Sequence, residues 1–147
     1  MTSIATPTWC AALVLISVAA VMPAYGDDGD AAQLTIEQAV MARQIEQRAP
    51  VGEGTTFPAD IGQVACYTRV MGAKGETFIE HVWLRGEVES ARVRLPVRSP
   101  AWRTWSTKQI EPEWTGEWTV RIEDAEGRVL DTLRFTIGES SGPVSQD

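Results

Sequence analysis

A chain of 147 residues with a formal charge of −7 and 44% hydrophobic content is one domain's worth of polypeptide. Its mixture of apolar and charged residues excludes wholesale disorder, and its acidic balance argues against a nucleic-acid binder, which needs a basic surface for phosphate. One His and two Cys exclude both a His/Cys metal cluster within one chain and a disulfide framework.

The run from Cys10 to Ala24 carries no charge. As a helix it would reach roughly 22 Å at ~1.5 Å per residue, short of a ~30 Å hydrocarbon core. That length suits the apolar region of a signal peptide, and Ala24-Tyr25-Gly26 puts small residues where a signal peptidase reads them. No Lys or Arg precedes Arg43, so the basic start of such a peptide is missing. The alternative is a short uncleaved anchor in the inner membrane. Cleavage would leave Cys66 without an intramolecular partner. Asp27-Asp28-Gly29-Asp30 reads as a solvated acidic tail, because a calcium loop needs a longer ligand spacing and a terminal Glu. The expected layout is a signal peptide over 1–26, a flexible acidic linker over 27–38, a β domain over 39–138 and a disordered tail over 139–147. No transmembrane helix is expected after processing.

Thr35 to Arg48 is rich in helix formers, with Thr35 and Gln38 at capping-box spacing, so local propensity favours a helix there. From Gln63 the period becomes two. Val64, Cys66, Thr68 and Val70 share one face, and Ala65, Tyr67, Arg69 and Met71 share the other. Gly72-Ala73-Lys74-Gly75 predicts a turn, Thr77 to Leu84 a strand, and Arg85-Gly86 a hairpin. Ala91 to Leu95 alternates, and Pro96, lacking an N–H, belongs on an edge or at a bulge. Trp118, Val120 and Ile122 face one way, Asp124-Ala125-Glu126-Gly127 turns the chain, and Leu133, Phe135 and Ile137 end the last strand. The expectation is an all-β, immunoglobulin-like antiparallel sandwich of about seven strands.

Cys66 is a nucleophile only beside an activating base, and His81 is the one candidate; sharing a face with Val64 and Val70, Cys66 reads better as a small core residue. No nucleophile elbow and no phosphate-binding glycine loop is present. Glu80, Glu111 and Glu113 are available to a carboxylate-dependent hydrolase but form no recognisable pair. The concentrated signal is aromatic and cationic: Trp83, Trp102, Trp105, Trp114 and Trp118, interspersed with Arg69, Arg92, Arg94, Arg98, Arg103 and Arg121. One reading is structural, an Arg–Trp ladder on a sheet face with buried Trp in the core. The other is a binding surface in which rings stack on sugars or apolar groups and cations fix an anionic group. Trp102 and Trp105, three apart, face opposite sides of a regular strand, so at most one is buried without a bulge. The candidate ligand-binding residues are His81, Trp83, Trp102, Arg103, Trp105, Ser106, Lys108 and Trp114, with no catalytic residue, metal ligand or cofactor among them.

Several stretches together resemble a bacterial envelope family, the domain of unknown function numbered 2914. They are Arg48-Ala49-Pro50-Val51-Gly52, Phe57-Pro58, Cys66-Tyr67-Thr68-Arg69-Val70, His81-Val82-Trp83, Trp102-Arg103-Thr104-Trp105-Ser106-Thr107-Lys108 and Glu113-Trp114-Thr115-Gly116-Glu117-Trp118-Thr119-Val120. The resemblance covers roughly Ala39 to Ile137, and Ala49 departs from it, standing where the family usually has Glu. It implies a small all-β module of secreted or membrane-anchored chains, and an extended strand at about Val40 to Glu46 against local propensity. The function expected is therefore a non-catalytic binding module in the cell envelope, periplasmic or secreted, with a polysaccharide or protein partner and no nucleic acid. The rivals are a carbohydrate-binding module with an exposed Trp platform and a carboxylate-dependent envelope hydrolase.

Overall fold

The computed structural model describes residues 33–138. Residues 1–26, expected as a signal peptide and including Cys10, half of the stretch expected as a linker and the expected C-terminal tail lie outside the described residues. All regular structure within them is extended: β1 (Thr35–Glu46), β2 (Ala49–Glu53), β3 (Thr56–Phe57), β4 (Gln63–Met71), β5 (Thr77–Arg85), β6 (Val88–Val97), β7 (Ala101–Gln109), β8 (Gly116–Asp124) and β9 (Val129–Ile137). They form one sheet in the order β2-β1-β4-β7 and a second in the order β3-β9-β8-β5-β6. Leaving out β2 and β3, β1-β4-β7 faces β9-β8-β5-β6, the Greek-key arrangement of immunoglobulin-like sandwiches.

Two features differ from expectation. The described strands number nine rather than about seven, the additions being β2 and the two-residue β3. The pairing is not wholly antiparallel either. Residues 54–57 cross from the first sheet to the second without reversing, so β3 runs parallel to β9, with Phe57 opposite Ile137.

The helix-forming composition of 35–48 is overridden by pairing. Thr35 to Ala42 aligns against Met71 to Ala65 of β4, which buries Met41 and Ala42. β1 therefore starts at Thr35, inside the stretch expected as linker. Glu46 pairs with Ala49, so Gln47 and Arg48 alone make the β1–β2 turn, both at positive φ (48° and 64°). This is a mirror-image hairpin turn that Asn-Gly would favour. β4 occupies the bounds its alternation predicts, and Pro96 lies on β6, the edge of its sheet.

The side chains between the sheets form two apolar clusters. One contains Met41, Cys66, Trp83, Trp118, Phe135 and Phe57; the other contains Leu34, Val70, Ile79, Val97 and Ile122. Along β4 the step between them is Thr68, and along β5 it is His81, so a polar belt divides the core. Gly72 leads out of β4 at φ 90°, and a Cβ there would lie 2.9 Å from the Gln33 carbonyl oxygen. Only glycine fits that approach.

Candidate functional site

Three of the eight candidate residues lie in the core between the sheets. His81 and Trp83 point inward from β5, and Ser106 points inward from β7. The Trp83 indole Nε1–H donates to Ser106 Oγ at 3.1 Å. His81 Nδ1 lies 2.7 Å from the same Oγ, and His81 Nε2 lies 3.0 Å from Thr68 Oγ1. Hydroxyls both donate and accept, so either neutral tautomer satisfies both ring nitrogens. Burial pushes the imidazole down to about 4, so the ring is neutral near pH 7. These residues hold the sheets together and do not meet solvent.

Cys66 belongs to the same interior. Burial pushes its thiol up to about 12, against the opposing effect of a hydrogen bond with Thr68. A neutral, fully buried thiol is a poor nucleophile. Iodoacetamide should therefore label Cys66 in the folded protein only as fast as the domain opens, and at full rate in denaturant, as read by intact mass. Fast native labelling would place the thiol at the surface.

The Trp102–Lys108 element is β7, and its two rings do face opposite ways. Trp102 is opposite Val70 and packs on the second apolar cluster, whereas Trp105 is opposite Tyr67 on the outer face, with no register shift between them. Ala65 and Tyr67 are also buried, although that face points away from the core. β2 approaches β4 without pairing to it, so the β1–β2 hairpin lies near this face. Its tip brings Arg48 to a groove of about 330 Å³ lined also by Arg69, Ser99, Ala101, Trp102 and Arg103.

Lys108 and Trp114 belong to the opposite end of β7. Lys108 Nζ and Arg85 Cζ lie 5.1 and 5.8 Å from the Trp114 ring centroid, with Trp118 tilted against the same ring at 6.2 Å. A second groove there, of about 420 Å³, is lined by Arg85, Val88, Glu89, Ser90 and Trp114. The eight candidates thus divide among the core, the outer face of the four-stranded sheet and the two ends of the sandwich. Trp102 and Arg103 gain a neighbour, Arg48, that residue spacing gave no reason to expect.

The ladder of cations on the five-stranded sheet is Arg–Glu rather than Arg–Trp. Arg92 bonds Glu80, Glu89 and Glu123, and Arg94 bonds Glu80 while lying over Phe78 at 4.1 Å. Hydrogen bonds from Arg92, then Arg94, hold the Glu80 carboxyl below the usual range, so Glu80 is no proton donor near neutral pH. Arg98 and Arg128 also have carboxylate partners, and Arg121 Nε lies 3.2 Å from Glu123 Oε1. Among the described residues, no group of three or more His, Cys, Asp or Glu side chains is placed to hold a metal ion. No helix among them is long and apolar enough to cross a membrane.

No curated protein matches the chain. Residues 76–137 match a family model described as "Protein of unknown function (DUF2914)". The matched stretch takes in β5 to β9 and all eight candidate residues, and it stops short of β1 to β4 and therefore of Arg48 and Arg69. The family that the Trp-Arg-x-Trp-Ser-x-Lys element resembles is thus the one found over residues 76–137 of this chain, the DUF2914 family.

Proposed function

We propose that the chain is a non-catalytic binding module acting outside the cytoplasmic membrane, and that it meets its partner on the outer face of the four-stranded sheet, at the groove lined by Arg48, Arg69 and Arg103. One observation carries this reading. Arg48 and Arg103 have no ion pair among the described residues, yet both line the same groove as Arg69. In a chain of charge −7, unpaired cations gathered in one place are costly to folding and useful to recognition. The sugar-platform reading has less support, since Arg85, Lys108 and Trp118 already crowd the Trp114 ring. The hydrolase reading has less still, since Glu80 is tied into the Arg92–Arg94 ladder.

Retention of the full chain on washed envelope fractions tests the proposal. The wild type should sediment with the fraction. Arg103→Glu should stay in the supernatant, with a folding stability within about 1 kcal/mol of wild type because Arg103 is exposed. Equal retention of the two proteins sinks the proposal.

A further inference from the structure

We infer that the groove between Arg48, Arg69 and Arg103 is a site for a doubly charged oxyanion of the phosphate-monoester class. This rests on the reading above and narrows it from a surface to a ligand chemistry. Arg69 and Arg103 are direct cross-strand partners on one face of the β4–β7 pair. Like charges so placed repel and weaken a sheet. Arg48 adds a third guanidinium from the hairpin tip, and no carboxylate lines the groove. The one acid engaged nearby is Glu37, 2.6 Å from Arg69 Nε. Three guanidinium groups against one carboxylate leave two positive charges. A dianion neutralises that excess, whereas a monocarboxylate leaves one charge uncompensated.

The local chemistry agrees with the charge. Guanidinium forks match oxyanions that present several oxygens, and they cannot be titrated away. Arg48 stands at φ 64° in a turn position where Asn or Gly is the ordinary choice, so a long cation is held there against backbone preference. Ser99 Oγ donates its proton to the Ala101 carbonyl at 2.8 Å, which leaves it an acceptor. Ser99 can therefore accept from an uncharged part of the ligand, such as a sugar hydroxyl. A volume of about 330 Å³ holds a group of hexose-phosphate size. Elsewhere on the molecule Arg92, Arg94, Arg98 and Arg128 have their own carboxylates.

The test titrates the full chain with inorganic phosphate, sulfate, a hexose phosphate and glucuronate, read by calorimetry and by arginine Nε–Hε resonances. Hexose phosphate should bind saturably and weaken as pH falls through about 6, where a phosphate monoester takes its second proton. Sulfate stays a dianion and should keep its affinity over the same range. Arg48→Ala and Arg103→Ala should each weaken hexose-phosphate binding about tenfold or more. Their thermal midpoints should hold or rise, because each change removes a like-charged neighbour. Vesicles of phosphatidylcholine carrying phosphatidic acid separate the sources. Capture that hexose phosphate competes away points to a lipid headgroup, and soluble binding without capture points to a sugar or polymer phosphate. Glucuronate binding as tightly as hexose phosphate at pH 7 overturns the dianion assignment and leaves the surface standing. So does an absence of anion binding while Arg103→Glu still loses envelope retention. Unchanged affinity in both alanine variants overturns the site itself.

Discussion

Replacing Trp83 with alanine should lower the unfolding free energy by about 3–5 kcal/mol. The ring is fully buried in the larger apolar cluster, with Phe135 edge-on at 6.1 Å. Removing it opens a cavity that strands on both sides cannot close, since β5 is hydrogen-bonded to β6 on one edge and β8 on the other. It also takes from Ser106 Oγ the indole N–H that it accepts. Trp83→Phe should recover most of the volume and none of the hydrogen bond, and so should cost less than alanine but clearly more than zero. Urea unfolding of the three proteins decides the matter. A loss below about 1 kcal/mol for alanine would mean that the ring is not part of the core.

The second large effect is a dependence of stability on pH centred on His81. Its folded-state value is pushed down to about 4, while in the unfolded chain it titrates at its ordinary 6.5. The unfolded state therefore takes up a proton over a range where the folded state does not. Stability from this group is complete above pH 6.5, declines as pH falls from 6.5 to about 4, and changes no further below that. The loss is on the order of 2–3 kcal/mol. The groups bonded to the ring are the Thr68 and Ser106 hydroxyls, so no carboxylate touches the imidazole. Glu80 acts in a different window. Its depressed value stabilises the fold above its ordinary 4.5 and is lost only below that. Chemical denaturation at a series of pH values should show the decline in wild type and a flat profile in His81→Gln between pH 6.5 and 4.5. A flat wild-type profile would mean that the imidazole is hydrated.

What the sequence made legible follows the range of the interactions involved. Two-residue alternation located β4 and told which of its faces is apolar, because strand geometry is local. The same rule separated Trp102 from Trp105. Propensity misread Thr35 to Arg48, since Met41 and Ala42 are held extended by partners more than twenty positions away, Cys66 and Ala65. The β1–β2 hairpin left no trace because Gln47-Arg48 is not the pair that such a turn prefers. Without that hairpin, neither the burial of Tyr67 on an outer face nor the meeting of Arg48 with Arg103 is foreseeable. The partners of His81 were hidden for a similar reason. Thr68 and Ser106 come from the opposite sheet, and nothing in the spacing joins them to position 81.

The parallel pairing of Thr56–Phe57 with Thr136–Ile137 sets an order on assembly. A chain leaves the ribosome N-terminus first at about 5–20 residues per second. β3 therefore waits for a partner that is the last of the described strands to be made, and one edge of β4 waits for β7. Only β1–β2 and β5–β6 can close as local hairpins in the meantime. Phe57 stays exposed until Phe135 and Ile137 arrive to cover it. Folding of the sandwich is thus withheld until β9 has been made, and a chain truncated within β9 should persist as an open, aggregation-prone collapse rather than as a smaller sandwich.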